Sequence, residues 1–190
     1  VLFDCHACHH PMSNVKWQAR SGTNLPPGVP RINDANLIML RAILDQVDPS
    51  LGKTVRDQTL ALHAAGMQGP DAIANAAKAL HGTTKTLVKR FADHKFSSAD
   101  MRGAANALVT EGLSGEYFDY SAAEQATMAL HSLVSAMKGS GDVEAKDAGA
   151  LDSAIEKMYA AVNNDEAYKP EVFTAALKQL QASLPKPKAG

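Results

Sequence analysis

The sequence predicts an all-α protein: an irregular, proline-rich N-terminal segment followed by a helical bundle. Three observations predict it. Alanine is very frequent and aromatic residues make up only 5 % of the chain, a composition that favours closely packed helices over sheets. From Asn33 onwards apolar residues recur three and four positions apart, and no run alternates as a half-buried strand would. Pro11, Pro26, Pro27 and Pro30 crowd the first thirty residues and forbid a long helix there. The expected division is a segment over 1–32, a bundle over 33–184 and a disordered tail over 185–190.

The elements follow in order. From His10 to Pro30, the Ser21-Gly22 pair and the run Pro26-Pro27-Gly28 favour turns and extended stretches around Trp17, the only tryptophan. Asn33 or Asp34 caps a first helix with Leu37, Leu40, Leu44 and Val47 on one face, closed by Pro49. Ser50 caps a second, which carries Val55 and Leu62 and ends near Gly66. Pro70 suits the first turn of a third, whose seam of Ile73, Ala77, Leu80, Thr84, Leu87 and Phe91 runs across Gly82 in one long or bent helix. Ser97 and Asp100 start a fourth, with Ala104, Leu108 and Val109. A loop from Gly112 to Tyr120 gathers Tyr117, Phe118 and Tyr120. Ser121 with Glu124 has the spacing of a capping box before Ala126, Leu130, Leu133 and Met137. Gly139-Ser140-Gly141 breaks the chain before Leu151, Ile155, Met158 and Val162. Asn163-Asn164-Asp165 then precedes a last helix from Pro170 to about Leu184, with Phe173, Leu177, Leu180 and Leu184.

At 190 residues the chain is long enough for one domain with a genuine core. With 19 basic and 20 acidic residues, total charge gives no case for nucleic acid or an anionic membrane as a partner. No apolar run approaches the length of a membrane-crossing helix.

The chemistry is concentrated in Cys5-His6-Ala7-Cys8-His9, which has the form of a c-type haem attachment site. Two residues between the cysteines let both sulfurs reach the vinyl groups of one porphyrin. The adjacent His9 then lies under the iron as the proximal ligand. Both of the chain's cysteines are used. A dithiol redox motif would want a βαβ context, and a zinc knuckle a second spaced pair of Cys or His; neither is present. Haem c and its iron are therefore the expected cofactor. Trp17 lies in a stretch suited to cross a haem edge, or it anchors the loop to the core.

The iron's second axial position separates an electron carrier from a catalyst. His63, His81, His94 and His131 are candidates, His94 because it follows Leu87 and Phe91 at helical spacing. Met12 is too near His9 in sequence to swing to the opposite face, and the other methionines sit on apolar helical stripes. His10 points away from the iron held by His9. It is left to ligate a second haem or to hydrogen-bond a propionate.

The run Phe3-Asp4-Cys5-His6-Ala7-Cys8-His9-His10-Pro11 resembles the terminal haem motif of multihaem c-type cytochromes related to the cytochrome c554 group. There an aromatic-acidic pair precedes the cysteines and a second histidine follows the motif. The resemblance extends through Trp17-Gln18 and Leu25-Pro26-Pro27-Gly28-Val29-Pro30, and returns at Tyr120-Ser121-Ala122-Ala123-Glu124-Gln125. It implies several closely spaced haems, mostly with two histidine ligands each, that pass electrons along a chain. It also implies that His10 serves a neighbouring haem, and that further motifs and the sixth ligand precede Val1.

Covalent haem attachment takes place outside the cytoplasm, so a periplasmic or extracellular location and a removed export signal are expected. Only four residues precede Cys5, and a haem needs walls on both faces, so more chain or another subunit is expected upstream. The expected activity is electron transfer rather than enzymatic catalysis, with other haem domains, cytochrome subunits and redox proteins as partners. Two alternatives stand beside it. One is a high-spin haem enzyme, or a subunit of a haem oxidoreductase, acting on a small nitrogen or oxygen species. The other is a structural subunit of a cytochrome polymer, which a homo-oligomer with exposed apolar stripes on its last two helices would favour.

Overall fold

The computed structural model describes Phe3, Arg20, Gly22, Thr23, Leu25, Pro26, Val29 and residues 31–185. Among these the fold is all-α. The helices are α1 (Ala35–Val47), α2 (Pro49–Ala65), α3 (Pro70–Asp93), α4 (Ser98–Leu113), α5 (Tyr120–Gly139), α6 (Ala145–Ala161) and α7 (Pro170–Ser183), with a 3-10 turn at Asp165–Ala167. An isolated antiparallel bridge joins Phe3 to Ile32.

Local chemistry sets the boundaries. The Asp48 carboxylate accepts a hydrogen bond from the Leu51 amide at 3.2 Å, and Pro49 occupies the first turn of α2. Asp48, not Ser50, is therefore the cap, and Pro49 opens the second helix rather than closing the first. Asp48 wins because it precedes a proline whose missing N–H costs nothing in a first turn. Ser97 and Asp100 form a reciprocal capping box at α4, as the sequence predicts. The Ser121/Glu124 signature does not form: α5 starts one residue earlier, with Asp119 at its N-cap and no side-chain cap bond. α3 runs unbroken through Gly82, which is exposed and met by nothing.

Five helices share the main core. α4, α5, α6 and α7 enclose Leu108, Leu130, Met137, Leu151, Met158, Phe173, Leu177 and Leu180, and α1 adds Ile38, Met39 and Ala42. Ala105, Ala123 and Ala126 are completely buried there, so the high alanine content serves close helix approach. α1 has two apolar faces rather than one. Its Leu37, Leu40, Leu44 and Val47 turn away from that core into two smaller clusters with Leu62 and Leu80, and with Val55 and Leu87. α1 is thus a middle layer, with α2 outside it and α3 outside α2. No described helix is long and apolar enough to cross a membrane.

Candidate functional site

Cys5, Cys8, His9, His10 and Trp17 lie outside the described residues, as do Met12 and the tail from Lys186. Arg20, Gly22, Thr23, Leu25 and Arg31, from the stretch that follows them, are described, and they show how this stretch is seated.

The seat is acidic and buried. Asp34 precedes α1, and Glu116 and Asp119 lie in the turn between α4 and α5. Arg20 meets all three: two parallel hydrogen bonds reach Asp34, one of them Nη1 to Oδ1 at 2.8 Å. Its Nε lies 3.3 Å from Glu116 Oε2 and its Nη1 3.8 Å from Asp119 Oδ2. Arg31 Nη1 donates to Asp119 Oδ2 at 2.5 Å. The Gly22 amide donates to Glu116 Oε1 at 2.7 Å, and a side chain at position 22 would run into that carboxylate. Arg20, Arg31, Asp34, Glu116 and Asp119 are all buried. Charges taken this far from water persist only when paired and hydrogen-bonded, and these are.

His63, from the last turn of α2, closes the cluster, with Nε2 at 2.9 Å from Asp34 Oδ2. Burial works against the Asp34 carboxylate, but hydrogen bonds from His63 and Arg20 outweigh it and hold Asp34 well below the usual carboxylate range. Burial likewise opposes the Arg20 charge, and Asp34, Glu116 and Asp119 together overcome it. The arrangement also explains why α5 has no side-chain cap: the Asp119 carboxylate is spent on the two arginines.

The four candidate histidines are not brought together. His63 is 2 % exposed, and its Nδ1 is buried with no hydrogen-bond partner among the described residues. His81 sits on the outward face of α3, exposed. His94 is half-buried, 3.4 Å from Asp100 Oδ2 and edge-on to Phe96. Asp100 is held below the usual carboxylate range chiefly by the Ser97 amide. His131 is exposed, with Nδ1 at 3.0 Å from the Tyr159 hydroxyl. No group of three or more metal-ligating side chains occurs among the described residues.

A buried imidazole tied to a carboxylate through one nitrogen, with the other unpartnered, has the environment that iron-ligating histidines use. His63 alone of the four has it. Its free nitrogen is Nδ1, the one crowded by Cβ, so the contact with Asp34 occupies the more accessible position. Sequence reasoning names His63 only as one candidate for the sixth ligand, beside His81, His94 and His131, and gives Asp34, Glu116, Asp119, Arg20 and Arg31 no part in a site. No family model, no curated protein and no solved structure matches this chain.

Proposed function

We propose that this chain is a c-type cytochrome, exported from the cytoplasm, that carries electrons through a covalently bound haem as one link of a multihaem chain or complex. The observation that carries the reading is Cys5-x-x-Cys8-His9, which uses both cysteines and sets a histidine directly behind them. Cys5 and Cys8 would hold the porphyrin through thioethers, and His9 would supply the proximal nitrogen. His10 would serve a neighbouring haem, in keeping with the resemblance to cytochromes of the c554 group. When bound, the haem supplies a one-electron couple.

The rest of the chain has a mechanical part. An electron carrier needs its cofactor held rigidly, since a carrier that reorganises little exchanges electrons with little loss. The acidic seat supports this reading. It takes two arginines and a backbone amide from the stretch that follows the motif, so Arg20, Gly22 and Arg31 are anchored to a bundle with an apolar core of its own. Bidentate Arg–carboxylate contacts fix orientation as well as distance. His63 is a positioning residue here: it fixes Asp34, and Asp34 fixes Arg20.

The test is intact mass with a haem stain on the same band, on chain expressed with its export and haem-attachment machinery. The expected product is the chain mass plus one covalent haem, lost in Cys5→Ala/Cys8→Ala. A haem-free product from the unaltered chain, or haem retained by the double variant, would overturn the reading.

A further inference from the structure

The near-zero total charge conceals a sorted distribution. Residues 70–97, α3 and the turn after it, carry five basic and two acidic side chains. Residues 144–171, from the start of α6 into the first turn of α7, carry three basic and seven acidic ones. α3 packs principally on α2, whereas α6 and α7 pack on each other and on α5 and α4. The two charged regions therefore lie at opposite ends of the stack of helices.

Each end also presents apolar surface. On α3, Lys78, Lys85 and Lys89 share the face opposite the buried Leu80 and Leu87, and with Lys95 they are exposed and form no ion pair among the described residues. Beside them stand Val88, 70 % exposed, and Phe96, 47 % exposed. Phe96 is held by stacking on Phe91 at 5.9 Å and by the edge of His94. Between α6 and α7 an open groove of about 350 Å³ is lined by Ala160, Ala161, Val172, Ala175 and Ala176, with Lys157 and Gln179 bonded to each other at its edge. Val172 is 50 % exposed, and Glu156 and Glu171 flank the groove in sequence. One end offers an apolar projection among lysines without ion pairs; the other offers an apolar groove whose lining lysine, Lys157, is bonded to Gln179, with Glu156 and Glu171 exposed next to it along the chain.

We propose that the occupant of these faces is a second copy of this chain, the α3 face of one molecule docking on the α6–α7 face of the next. Such an interface is heterologous: each molecule uses two different surfaces, and each keeps one of them free after pairing. An anionic membrane is a poorer match for α3, because the apolar side of that helix is turned inward onto α2 and leaves little to insert. The pairing stands or falls separately from the haem reading, since neither face includes a residue of the motif.

The test is sedimentation velocity on the full chain, as produced with the export and haem-attachment machinery, from about 10 μM to 1 mM, the range in which small interfaces dissociate. At about 10 mM salt, where charges act over about 30 Å, average mass should rise with concentration; at about 1 M salt, where they act over about 3 Å, the midpoint should move up at least tenfold. Lys78→Glu/Lys85→Glu/Lys89→Glu should abolish association, as should Glu156→Lys/Glu171→Lys. An equimolar mixture of these two variants should associate again, because each retains the face that the other lacks and the two reversed faces are once more opposite in charge. Helical circular dichroism establishes that each variant is folded. A wild-type chain that stays monomeric at 1 mM in low salt overturns the proposal. So does association by either variant alone, or a mixture of the two that stays monomeric.

Discussion

Where α5, α6 and α7 meet, Leu130, Met137, Leu151, Met158 and Phe173 are closed from solvent among apolar neighbours. Where Arg20, Arg31 and Asp34 meet the turn before α5, they, Glu116, Asp119 and His63 are buried too, among charges. The two regions answer different needs. Apolar contact is non-directional, so it holds helices together but tolerates small shifts. Buried ion pairs add little net stability over apolar packing, because desolvation cancels most of their attraction. What they give instead is one allowed geometry. The difference teaches that the bundle stands on its α4–α7 core, and that the charged seam fixes where the N-terminal segment joins it.

The largest expected effect lies in the apolar region. Phe173→Ala should cost about 3–5 kcal/mol in urea unfolding, because the ring is fully buried against Tyr117 and Tyr168. A cost below about 1 kcal/mol would mean that this core does not carry the fold.

The charged seam should respond differently to loss of one partner. Asp34→Asn leaves Arg20 short of its main counter-ion, so a loss of about 3 kcal/mol is expected, along with faster proteolytic cleavage before residue 34. Unchanged cleavage would show that the seam does not hold the segment. pH sharpens the contrast. Asp34 is a depressed carboxylate, so its contribution is whole above the unfolded value of about 4 and is lost as pH falls towards its lower folded value. Wild type should therefore lose stability steeply on the acid side, and Asp34→Asn should flatten that limb, while Phe173→Ala lowers the curve at every pH.

The smallest effect belongs to neither region. Ser97→Ala should cost about 1 kcal/mol by removing one half of the α4 capping box, and it should leave cleavage of the N-terminal segment unchanged.

Most of the apolar region was legible in the sequence. The stripes Leu151, Ile155, Met158 and Phe173, Leu177, Leu180 are periodic, and periodicity is a local signal. Ser97 with Asp100 was readable for the same reason. The charged seam was not, because its partners are far apart along the chain: Arg20 and Asp34 are 14 residues apart, Arg31 and Asp119 are 88, and Gly22 and Glu116 are 94. One of the two misplaced caps, at α5, went wrong where long-range chemistry intervened. Asp119 looked like a loop residue and Ser121 a cap because nothing local reveals that Arg31 claims the Asp119 carboxylate. The motif that carries the functional reading was legible from the first line, while the seat for the segment behind it required the fold.

The 24-residue α3 keeps only Leu80 and Leu87 buried, and its neighbours are mostly those of α2. Helices with so little apolar anchorage open by sub-global unfolding well below the free energy of the whole domain. Its backbone amides should therefore exchange with solvent deuterium long before those of α5, which buries seven residues. The basic end of the molecule is also the end that can loosen while the rest stays folded, so whatever settles on α3 would register there as slowed exchange of amides that otherwise open early.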